Sequence, residues 1–158
     1  MSKELSTLGI TLKYCVETTA GTRPTTGYTQ IHGIRSLPGF GSEPDAIEST
    51  PLEETDWKRY IKGLRDAGGS YGITVNDYDT FRSEWAACVS AYATGQSTGK
   101  DTWFEITVPG IASANKPSFF FNGEPIELGF NGAEVNSLLE NMAYIIPNKT
   151  IGWATSST

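Results

Sequence analysis

Apolar and polar residues alternate from Ile10 to Thr18. Ile10, Leu12, Tyr14 and Val16 share one face and Thr11, Lys13, Cys15 and Glu17 the other, which predicts a first strand. The polar Gly/Thr/Pro stretch 19–27 predicts a loop. Tyr28–Leu37 is a mixed second strand that ends at the turn signal Pro38-Gly39-Phe40-Gly41. Ser70–Asn76 predicts another strand. A helix over about 78–94 follows from the stripe Phe81, Trp85, Cys88/Val89 and Tyr92. Asn76-Asp77 or Asp79 supplies a capping oxygen at its start, and Gly95 stops it.

Trp103–Pro109 predicts a strand with Phe104, Ile106 and Val108 on one face. Phe119–Asn122 and Ile126–Phe130 read as two strands joined by a tight connection at Gly123-Glu124-Pro125. Glu134–Ile146 is ambiguous by pattern, because Val135, Leu138, Leu139 and Met142 also fit a helix. Pro147-Asn148 closes that segment, and Ile151–Trp153 is a short tail element. The sum is one mainly β domain over 1–158. Its expected architecture is two packed sheets forming a β-sandwich or partly closed barrel, with one flanking α-helix.

The stretch from Pro38 to Gly69 does not fit that frame. Residues 42–56 carry six acids and no base, and the bases Lys58, Arg59, Lys62 and Arg65 follow. Pro44 and Pro51 bracket a strand-like piece, Ala46–Thr50. This excursion is too long for an ordinary hairpin loop. Trp57, Tyr60, Ile61 and Leu64 give it something to bury, so a neighbour is expected to hold it.

Composition narrows the function. Charged residues make up 19% of the 158 residues, while four Trp, seven Tyr and seven Phe exclude a disordered chain. The net charge is −6, and residues 101–140 hold six acids against Lys116 alone, which argues against tight binding of DNA. Cys15 and Cys88 read as two buried thiols of a reducing cytosol. No apolar run is long enough for a membrane span, and the opening MSKELSTLG has no apolar signal core. The single histidine, His32, forms no metal-ligand spacing with Cys15 and Cys88 and has no nucleophile motif beside it. The acids Glu53, Glu54 and Asp56 lie in one charged loop with no second carboxylate across a cleft. No phosphate-loop run is present. An enzyme, a metal and a cofactor are therefore not expected.

Several stretches resemble the major tail tube protein family of long-tailed, siphovirus-type phages. Gly39-Phe40-Gly41 leads into Glu43–Thr50, similar to that family's turn into an acidic strand ending in Thr. Trp57–Asp66 resembles its central loop. Asn76-Asp77-Tyr78, Phe119–Gly123, Gly132–Asn136, Ile146-Pro147 and Ile151-Gly152 follow in order, so the resemblance covers most of 30–152.

It implies a homohexameric ring stacked head-to-tail into a tube in the virion tail, assembled in the bacterial host cytoplasm. The implied partners are the chain itself, a tape measure protein, and tail tip and tail terminator proteins. Double-stranded DNA passes through without specific binding, and no membrane is bound. Glu43, Asp45, Glu48, Glu53, Glu54, Asp56, Trp57, Lys58, Arg59, Tyr60, Lys62 and Arg65 are the expected inter-subunit or inter-ring contacts, since Trp and Tyr anchor interfaces. The plain alternative is a solvated charged loop. Glu105, Glu124, Glu127 and Glu134 are candidates for an acidic lumen wall that repels phosphates. Other readings stay open: a single-ring terminator or joining protein, the inner tube of a contractile-type particle, or a β-sandwich binding module using Trp57 or Trp153.

Overall fold

The computed structural model describes residues 7–40, 45–64, 68–77, 79–109 and 117–157. Its main feature is a seven-stranded antiparallel sheet in the order β2-β1-β7-β8-β9-β6-β3. The strands are β1 (Thr11–Val16), β2 (Thr29–Ile31), β3 (Ile34–Ser36), β6 (Tyr71–Asn76), β7 (Thr102–Thr107), β8 (Pro117–Pro125) and β9 (Glu140–Thr155). Consecutive strands β2 and β3 lie at opposite edges of the sheet, so it curls into a nearly closed barrel. The single predicted strand 28–37 is thereby split. Gly33, with φ +84°, takes the left-handed corner that lets the chain step from one edge to the other. A separate two-stranded sheet pairs β4 (Ala46–Glu48) with β5 (Tyr60–Lys62). The fold is thus mainly β with one flanking helix, α1 (Asp79–Gln96), as the alternation and the helical stripe predict.

The core lies where the barrel interior meets α1. Leu12, Phe104, Phe121, Ile73, Val75, Ala143 and Ile145 point inward from the strands and meet Phe81, Trp85 and Cys88 of the helix. Phe104 and Phe121 stack at 5.3 Å, and Phe40 closes one end against Tyr71 and Phe121. Trp85 is fully buried, so its indole N–H needs a partner, and it donates to the Ile126 carbonyl at 2.8 Å. Burial also raises the Cys88 thiol to about 12, which leaves it inert.

Four local predictions are corrected. Gly95 lies inside α1 instead of ending it. An added Cβ there would meet Val16 Cγ1 at 2.8 Å and the Lys100 carbonyl at 2.9 Å, so this glycine serves close packing. The reversal comes later, at Gly99 with φ +70°, while the Lys100 amide bonds the Gly95 carbonyl. Gly123-Glu124-Pro125 is no connection, because β8 runs through it. Gly123 is there because a Cβ would strike Ile145 and the Ile146 carbonyl. Ile126–Phe130 forms no strand, although the Ile126 amide still bonds the Tyr144 carbonyl. Finally, the last strand starts at Glu140 and continues through Pro147, which pairs with Gly123 where the β8–β9 register shifts.

Candidate interaction surface

Among the described residues no group of three or more His, Cys, Asp or Glu is placed to hold a metal ion. His32 meets Glu84 of α1, whose carboxylate takes its backbone N–H at 2.7 Å and its ring Nδ1 at 2.8 Å. That contact fastens the Gly33 corner to the helix. A cleft of about 540 Å³ between α1 and residues 127–130 includes Asp77, Arg82, Trp85, Glu127, Phe130 and Asn141 in its lining. Its polar floor is internally satisfied. Arg82 bonds both Asp77 oxygens, at 2.6 and 3.1 Å, and the Asn141 amide donates to the Gly129 carbonyl. The Arg82 hydrogen bond holds the Asp77 carboxyl below its ordinary range.

The distinctive surface is the β4–β5 hairpin. Its register is Ala46 to Lys62, Ile47 to Ile61 and Glu48 to Tyr60. The strands carry on into a connection framed by the Ser49 amide on the Arg59 carbonyl at 2.8 Å and the Arg59 amide on Thr50 Oγ1 at 2.9 Å. All six strand residues are exposed. Leu52 is fully exposed, Trp57 81% exposed and Leu64 89% exposed. A two-stranded hairpin that packs on nothing is marginal in water, and a large apolar area on a monomer marks an interaction site.

The expected contact residues occupy this hairpin and its flanks. Asp45, Glu48, Glu53, Asp56, Trp57, Lys58, Arg59, Tyr60 and Lys62 are exposed, and Glu54 is half-buried. Part of the charge is used internally. Arg59 pairs with Glu54 at 2.8 Å, and Lys58 reaches Glu48 at the 4.0 Å limit. Glu43 and Arg65 lie outside the described residues.

The lumen candidates divide. Glu124, Glu127 and Glu134 are exposed. Glu105 is only 1% exposed, so it presents no carboxylate to a channel, and that expectation is corrected. Alternation placed it opposite Phe104 and Ile106, but that second face of the sheet is also covered. The 19–28 loop lies there, with Tyr28 edge-on to Phe120 and the Arg23 guanidinium 4.1 Å from the same ring. Glu17 is buried on this face too and accepts from the amides of Gly21 and Asp101 and from the Trp103 indole.

Leu52 and the open edge of β9 escaped the sequence reading, although Trp153 is named there as a possible binding aromatic. Leu52 lies between acids and gave no periodic signal. The sequence reads Ile151–Trp153 as a short tail element, within what is the stretch Ile151–Thr155 of β9. It pairs with β8 on one edge, and among the described residues no strand pairs with the other. Trp153, 64% exposed and edge-on to Phe119, sits in the middle of it. Sixteen residues of strand with a six-residue partner on one side were the available clue, visible only once the pairing is known.

No protein-family model matches the chain, and no curated protein sequence does. Among solved structures, a chain of the cryo-EM structure of the anti-feeding prophage (AFP) baseplate, 6-fold symmetrised, matches with TM-score 0.65 at 9% identity over 100% of both chains. At that identity the likeness is one of fold. The siphovirus-type assignment is corrected, because the matching chain comes from an anti-feeding prophage baseplate.

Proposed function

We propose that this chain is a structural, ring-forming subunit of the tube or baseplate of a contractile-type phage-like particle. The observation that carries the reading is the β4–β5 hairpin, a hydrogen-bonded element whose apolar residues its own chain leaves uncovered. Two further observations support it. The fold is shared with a chain from a 6-fold symmetric assembly. The open edge of β9 at Ile151–Thr155 is a template for a further strand, and pairing such edges around a closed ring removes them.

In this reading the first partner is the chain itself. The hairpin is the arm that reaches the next copy, and its acids and bases set the register of the contact. Where rings stack, a length-setting tape measure protein and proteins closing the two ends are the further partners. Glu124, Glu127 and Glu134 are the candidates for the inner wall. Negative-stain electron microscopy of the purified protein at rising concentration tests the reading. Hollow rings are expected, and stacked rings would assign the tube over a single-ring baseplate or terminator position. A chain that stays monomeric at every concentration, alone and with baseplate proteins added, overturns it.

A further inference from the structure

Glu105 is a buried carboxylate with a specific set of partners. Thr107 Oγ1 donates to it at 3.1 Å, the Ser157 amide at 3.3 Å and Ser157 Oγ at 2.5 Å. One residue earlier, Ser156 Oγ meets Ser118 Oγ of β8 at 2.6 Å. The chain leaving β9 is therefore turned across β8 and fastened to β7, two strands away. Glu105 pairs across the sheet with Lys13 of β1 and Phe120 of β8, so the fastening point lies inside the sheet, with a strand on either side. A charged acceptor makes the stronger hydrogen bond, and away from water nothing competes for it.

We propose that Glu105 is a positioning residue for assembly: by clasping Ser157 it holds Ile151–Thr155 of β9 as a preformed edge on which a second copy of this chain docks. The inference rests on the ring reading above and deepens it. A strand with a ladder on one side frays from its end, and a frayed strand must be ordered when a partner arrives, which weakens docking. A clasp two residues beyond Thr155 removes that cost. The occupant is a second copy because the same chain carries a hairpin with both faces exposed, and because its fold recurs in a 6-fold symmetric assembly. Trp153 supplies the apolar anchor on the open stretch.

Hydrogen exchange on unassembled protein, followed by the concentration needed for ring formation, tests this with Glu105→Gln, Ser157→Ala and the hydroxyl-keeping Ser157→Thr. In the first two, amides of 151–155 should exchange about tenfold faster, as the loss of one charge-assisted bond allows. Those of β6 and α1 should keep their protection. Ring formation should need about tenfold more protein. Ser157→Thr should behave as the unmodified chain. Unchanged exchange at 151–155, or loosening spread equally through the core, overturns the positioning role. Rings that form at the unmodified concentration despite a loosened 151–155 overturn it as well, while leaving the ring reading intact. Failure of the unmodified chain to form rings, alone and with baseplate proteins added, overturns both.

Discussion

The β4–β5 hairpin and the β6–β9 pair are built from the same antiparallel ladder, and they end in opposite environments. Along β6, Tyr71, Ile73 and Val75 are buried in strict alternation and the residues between them are half-buried. Along β4 and β5 nothing is buried, although Ile47, Tyr60 and Ile61 supply comparable apolar area. The difference is what lies on each side. β6 has Phe40, Phe121 and the rest of the shared core against its inner face, whereas the hairpin stands on a charged stretch that the barrel does not cover. Apolar residues in β6 are explained by the folding of one chain. Those of the hairpin are left uncovered by the described residues, and in the proposed reading a second copy covers them.

The largest effect should come from the first region. Trp85→Ala removes the indole from the core and its bond to the Ile126 carbonyl, and urea unfolding should show a loss of about 3–5 kcal/mol. Glu17→Ala leaves three donors without their acceptor, the amides of Gly21 and Asp101 and the Trp103 indole. A loss of about 1–3 kcal/mol is expected, with Trp103 fluorescence shifted. Gly95→Ala, stabilising in most helices, should here cost about 1–3 kcal/mol in thermal unfolding, because its Cβ meets Val16 and the Lys100 carbonyl.

The hairpin should respond in the reverse sense. Trp57→Ala and Leu52→Ser should change unfolding free energy by no more than about 0.5 kcal/mol, while weakening assembly measured by light scattering by about 2 kcal/mol or more. A hairpin substitution that unfolds the monomer would erase the contrast. The smallest effect concerns acid. The Asp77 carboxyl titrates below its unfolded value because Arg82 donates to it. Its contribution is therefore present at neutral pH and fades as pH falls through the lowered folded value. Asp77→Asn should flatten the acid limb of the stability profile in that window.

The contrast also marks what the sequence disclosed. Strands such as β6 and the helix stripe Phe81, Trp85, Cys88 were readable because one face of each meets a core made by the same chain. Gly-Glu-Pro at 123–125 and Pro147 looked like breaks because proline and glycine punctuate most sequences. Here Gly123 is selected by the close approach of β9, and Pro147 faces it at a register shift. Glu105 was misplaced for a related reason. Alternation sends it to the face opposite Phe104, but no local pattern tells that the 19–28 loop and residues 156–157 cover that face. The hairpin's role was legible only as an anomaly, a long charged stretch holding aromatics that had no place to go.

Amide hydrogen exchange compared between dilute and assembled protein tests the account most directly. Ser49, Arg59 and the strands 46–48 and 60–62 should exchange fast in the monomer and become protected on assembly, together with 151–155, while β6 and α1 stay unchanged. Assembly that leaves the hairpin exchanging at its monomer rate would contradict the claim that a second copy covers it.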